Sequence, residues 1–127
     1  MSTLKVSNIT DTSGGATTLV SAQNTAKAWI NMNGTGTIAI NDSLNVSSIA
    51  DRGTGQFTVY FDTDFTTDSY VLSMIAQYLD YTASQGQGQY SARIDHKYTD
   101  RHQFTIANTN QTEYADPGRL DIIYFGD

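Results

Sequence analysis

The sequence predicts an all-β fold: a single antiparallel β-sandwich, jelly-roll-like, preceded by a short N-terminal arm. Three observations predict it. Apolar and polar residues alternate with a period of two in segment after segment, clusters of Gly, Asn and Asp separate those segments, and no sustained helical periodicity interrupts them. A chain of 127 residues fits one core with little left over. The predicted division is an arm over residues 1–22 and a sandwich over residues 23–127.

Leu4 to Ile9 is a short strand candidate, and the turn-rich run Asp11-Thr12-Ser13-Gly14-Gly15 follows it. Ala26 to Met32 is the first strand of the predicted sandwich. Thr37 to Val46 is the next, with Ile38, Ile40, Leu44 and Val46 on one face and a bend or bulge expected near Asp42. Asp51 to Gly55 reads as a turn. It leads into the clearest alternation, Gln56 to Phe61, where Phe57, Val59 and Phe61 point one way and Gln56, Thr58 and Tyr60 the other.

Tyr70 to Leu79 is apolar on both faces, with Tyr70, Leu72, Met74, Ala76 and Tyr78 opposed by Val71, Ile75 and Leu79. Such a strand is central in a two-layer structure or is covered by a neighbouring subunit, because monomers seldom leave large apolar patches in water. The run Gln85 to Gln89 reads as a loop tip. Gln89 to Lys97 alternates again, placing Tyr90, Ala92, Ile94 and His96 together. Gln103 to Ala107 is a further strand, and Pro117-Gly118 turns the chain into Leu120 to Phe125, which is also apolar on both faces.

Composition narrows the function. The formal net charge of −6 opposes attraction to a phosphate backbone, so no nucleic-acid partner is expected. No apolar run approaches the roughly 18 to 20 residues that span a bilayer, and the N-terminus lacks a basic stretch leading into a hydrophobic one. These features predict a soluble chain without a signal peptide or membrane insertion. Zero cysteines exclude disulfides and cysteine-based zinc sites. The Asn-x-Ser/Thr triplets at Asn8, Asn41, Asn45 and Asn110 read as incidental.

Candidate chemistry is sparse. Trp29 shares a face with Lys27 and Asn31, where packing is the favoured reading over stacking on a sugar ring. Asp95 and His96 are neighbours on a strand and point to opposite faces, so they do not form an acid/base pair. His96 is expected in a core or interface. His102, in the polar run Asp100-Arg101-His102, reads as solvated. Asp62, Asp64 and Asp68 offer oxygen ligands but lack the pattern of a calcium loop, so no metal and no cofactor are expected. No serine or carboxylate pair has the spacing of a catalytic motif, and the chain is expected not to be an enzyme.

Two stretches carry a resemblance. Residues 26 to 49, AKAWINMNGTGTIAINDSLNVSSI, followed by ADRGTGQFTVYF, resemble a segment of tail-fibre and related structural proteins of tailed bacteriophages, cyanophages included. The opening LKVSNITDTSGG, residues 4 to 15, is similar to the start of virion proteins in the same group. The resemblance implies a virion structural module, a fibre or fibre-like appendage on the tail or head, made in the host cytoplasm and assembled as a homotrimer. It implies other virion proteins as partners and a host glycan or receptor at the outer loops.

The residues expected in the trimer interface or core are Trp29, Tyr70, Leu72, Met74, Tyr78, His96, Ile123 and Phe125. Host-contact loops are expected around Tyr81, Gln85, Gln87, Gln111 and Tyr114, and the anchoring arm is expected to use Leu4, Val6 and Ile9. Two alternatives accompany this reading: a capsid decoration protein built on the same trimer, and a free carbohydrate-binding module supported by Trp29 and the tyrosines.

Overall fold

The computed structural model describes residues 25–77, 90–108 and 112–127. They form eight strands and no helix: β1 Ala28–Asn33, β2 Ala39–Leu44, β3 Val46–Gly53, β4 Gln56–Phe61, β5 Val71–Gln77, β6 Tyr90–Lys97, β7 Arg101–Asn108 and β8 Arg119–Phe125. Two antiparallel four-stranded sheets result. The front sheet has the order β2-β1-β8-β5 and the back sheet the order β3-β4-β7-β6, the layers of a β-sandwich.

Alternation builds the layer between them. Ala28, Ile30 and Met32 on β1 and Leu120, Ile122 and Tyr124 on β8 face inward from the front; Phe57, Val59, Phe61, Phe104 and Ile106 answer from the back. The loop between β4 and β5 sends Phe65 and Tyr70 into the same space. Phe61 meets Phe65 at 4.8 Å and Tyr124 at 5.0 Å between ring centroids, both edge-on, and Phe65 lies 4.2 Å from Tyr70. Edge-on aromatic pairs add to the stabilisation from burial alone. The Tyr70 hydroxyl keeps hydrogen-bond partners by donating to the Tyr98 and Arg101 carbonyls.

The chain changes sheet at a corner. β2 ends on Leu44, β3 begins on Val46, and Asn45 between them has φ of 56°, a left-handed conformation that asparagine tolerates better than most side chains. Its side chain fixes the corner by donating to the Thr63 carbonyl at 3.0 Å and accepting from the Thr63 amide at 2.6 Å. Gly55 makes the turn into β4 with φ of 68°, and its amide donates to Asp116 Oδ1 at 2.7 Å. A Cβ there would collide with the Ile106 carbonyl and the Ala115 amide.

The register departs from plain alternation at identifiable points. β1 skips Asn41 as it pairs with β2, so the irregularity falls beside Asp42, while the break between strands falls at Asn45. β3 was not expected as a strand of its own. Its register slips between Val46 and Ser48, which puts its inward apolar residues, Val46 and Ile49, three positions apart and hides the period of two.

Candidate functional site

The outer face of the front sheet is where the fold leaves work undone. Residues paired across neighbouring strands point to the same side of a sheet. Register therefore aligns Leu44, Trp29, Ile123 and Ser73 in one row, Asp42, Asn31, Asp121 and Ile75 in the next, and Phe125 with Val71 at the end. The face carries Trp29, Leu44, Val71, Ile75, Ile123 and Phe125, and Val71 and Ile75 remain 64% and 67% exposed. Covering those two contributes on the order of 1–2 kcal/mol apiece. A groove of about 340 Å³ runs over this face between Trp29, Asn31, Ser73, Ile75, Asp121 and Ile123.

One polar line crosses the apolar ground. Asn41 donates to Asn31 Oδ1 at 2.8 Å, and the Asn31 amide donates to Asp121 Oδ1, linking β2, β1 and β8 side by side. Apolar rows with an internally bonded polar line between them can bind another surface.

The outer face of the back sheet is organised differently. Arg52 extends from β3 across β4 and β7, donating to the carbonyls of Phe57 and Phe104, and ends on Asp95 of β6 with Nη2 2.8 Å from Oδ2. Thr105 donates to the same oxygen at 2.7 Å, and Arg93 reaches the other one at 3.3 Å. Burial pushes the Asp95 carboxyl up, but these three donors outweigh it and hold it below the usual carboxylate range. Tyr114, Ser91, Arg93 and Thr105 close a small cleft beside the pair.

The residues expected together in an interface or core separate into distinct groups. Trp29, Ile123 and Phe125 lie on the outer front face. Tyr70 is buried in the aromatic cluster, and Leu72 and Met74 point inward, partly buried against the core. His96 lies outside the core, which corrects that half of the expectation: it is exposed on the back sheet and stacked on Tyr98 at 5.4 Å. The register shift between Ile94 and His96 turns it to pair with Gln103, while Asp95 swings to Thr105 on the outer face. Tyr114 is exposed. Tyr78, Tyr81, Gln85, Gln87, Gln111 and the arm residues Leu4, Val6 and Ile9 lie outside the described residues. Among the described residues, no group of three or more His, Cys, Asp or Glu is placed to hold a metal.

Sequence reasoning missed His102. It reads as solvated beside Asp100 and Arg101, yet it is 0% exposed, stacks on Phe104 at 5.1 Å and shares a 3.1 Å hydrogen bond with the Tyr124 hydroxyl. Burial pulls its pKa down to about 3, so the ring is neutral at ordinary pH, and burial pushes the Tyr124 phenol up. The available signal was the two-residue step His102, Phe104, Ile106 along one inward face. Sealed from solvent, this pair specifies packing and does not meet a substrate.

Comparison of the chain with protein-family models, with curated proteins and with solved structures finds no match. No helix among the described residues is long and apolar enough to cross a membrane.

Proposed function

We propose that this chain is a non-enzymatic structural module of a tailed-phage virion, a fibre or fibre-like appendage that assembles as a homotrimer. One observation carries the assembly part: six apolar side chains share the outer face of the front sheet, although the same chain has already filled a core between its two sheets. Scattered apolar residues on a surface need no explanation, whereas a contiguous apolar face marks an interaction site. The virion part rests on the resemblance carried by residues 26–49 and 4–15. Threefold symmetry and the jelly-roll likeness belong to the same proposal, the latter supported by eight strands in two sheets with the first strand paired to the last.

In this reading the front face is turned toward sister copies, and the arm around Leu4, Val6 and Ile9 holds the module in place. Outer loops near Tyr81 to Gln87 and Gln111 to Tyr114 face a host glycan or receptor. A capsid decoration role uses the same trimer on a different part of the particle. The free carbohydrate-binding reading is favoured by one feature, the groove in which Trp29 stands beside the bonded pair Asn31 and Asp121.

Antibody labelling of intact particles in the electron microscope tests the proposal. Labelled tails or heads support it and separate fibre from decoration protein; unlabelled particles, with glycan binding by the isolated trimer or monomer, would replace it with the carbohydrate reading.

A further inference from the structure

Asn33 and Gly34 form the only asparagine–glycine pair in the chain. Asparagine is chemically labile, and a following glycine, having no side chain, obstructs attack by its own amide nitrogen least. The reaction needs only base and water. Base removes the proton from the glycine amide, the nitrogen bonds to the asparagine Cγ, and the Cγ–Nδ2 bond breaks with loss of ammonia. Water then opens the succinimide ring. Opened at Cγ it leaves aspartate; opened at the main-chain carbonyl it leaves isoaspartate, in which the backbone runs through the former side chain.

The fold holds both reacting groups back. β1 ends on Asn33, whose Oδ1 accepts from the Thr35 amide at 3.1 Å and from the Thr35 hydroxyl at 2.7 Å, while Nδ2 donates to the Thr35 carbonyl at 3.1 Å. Bonds of this kind from asparagine to the backbone two residues on fix the orientation of the carboxamide. Gly34 is buried, and its amide donates to the Pro117 carbonyl at 2.8 Å. Pro117 is buried as well, so the proton that must leave is bonded inside the fold and shielded from base in solvent. This contact continues the pairing of β1 with β8 one step beyond Met32 and Leu120.

We infer that Asn33 is a latent deamidation site, locked while Gly34 is bonded to Pro117 and open to attack when that end of the front sheet separates. The isoaspartate product makes the opening one-way. It adds a methylene to the main chain directly before Gly34, where the space is already filled: a Cβ on Gly34 would stand 2.9 Å from Pro117 Cδ and 3.0 Å from Phe57 Cζ. Asn33 is also the last residue of β1 in register with β2, opposite Ala39. A longer main chain at that point loses the register and the Pro117 contact together. Aspartate keeps the backbone length and the oxygen that Thr35 bonds, so it still closes.

Full-length protein is held in mildly alkaline buffer with and without urea, and the peptide bearing Asn33 is followed by mass spectrometry that separates aspartate from isoaspartate. Conversion is expected to be slower in the native protein by roughly tenfold or more, a ratio set by how rarely the contact opens. Equal rates with and without urea, or an Asn33 that stays intact in urea, overturn the inference. Full-length Thr35→Val loses the hydroxyl bond to Asn33 and is expected to convert several-fold faster in buffer and no faster in urea; an unchanged rate in buffer counts against the lock. After dilution from urea, the Gly34 amide is expected to regain protection from hydrogen exchange in unmodified and aspartate-bearing chains and to stay unprotected in isoaspartate-bearing ones. Protection in all three overturns the one-way step.

Discussion

On the back sheet, Arg52 crosses two strands to reach Asp95, and Thr105 and Arg93 bond the same carboxylate; on the front sheet, Trp29, Leu44, Ile123 and Ile75 stand in the equivalent outward positions. Both sheets bury one face against the other in the same way. The difference lies in the side chains turned outward. Polar links within the back face tie β3, β4, β7 and β6 to one another and stabilise the single chain. Apolar side chains on the front face gain little until something covers them.

Charging the front face should produce the largest effect. In full-length Ile75→Asp/Ile123→Asp, two carboxylates would be buried without partners, at about 3 kcal/mol each, weakening association by about four powers of ten. Sedimentation should give a folded monomer, while Gln103→Asp on the back sheet leaves the mass unchanged. Equal losses from both faces would erase the distinction drawn between them.

Asp95→Ala tests the back face. Removing the carboxylate leaves Thr105 and Arg52 without their shared acceptor, and Asp95 is only 19% exposed, so the expected loss is about 2 kcal/mol in denaturant unfolding. Subunit mass should not change. A loss under about 0.5 kcal/mol would class the network with ordinary surface ion pairs.

A smaller effect concerns pH. Folding holds the His102 pKa at about 3, below its ordinary 6.5, so the unfolded chain takes up a proton first as pH falls. The contribution is complete above 6.5 and declines between 6.5 and 3, amounting to about 2 kcal/mol lost at pH 5. The Asp95 carboxyl, also held low, acts in the same acid direction. His102→Leu should flatten the slope between pH 6.5 and 5; an unaltered slope would show that His102 is not its source.

Elements whose side chains keep a strict period of two were legible in the sequence. β4 falls on Gln56–Phe61 as expected, and β5 and β8 show the two-sided apolar character that marks the front sheet. Bulges concealed the rest. The slip at Ser47 spaced Val46 and Ile49 three positions apart and hid β3, and the slip at Asp95 reversed the direction of His96. His102 was obscured by its charged neighbours, although its partner Val59 across β4 is fully buried. Alternation also marked the strand of Ile123 and Phe125 as apolar on both faces and put Trp29 on a face with Lys27 and Asn31. It did not show that Trp29, Ile123 and Phe125 share a face, because that depends on β1 pairing with β8 across nearly the whole chain.

Native mass of the purified full-length protein, followed down to nanomolar concentration, tests the central claim most directly. Self-association through the outer front face predicts a species of more than one chain mass, lost on charging Ile75 and Ile123. A monomer that stays soluble at every concentration, with that face open to water, would contradict it.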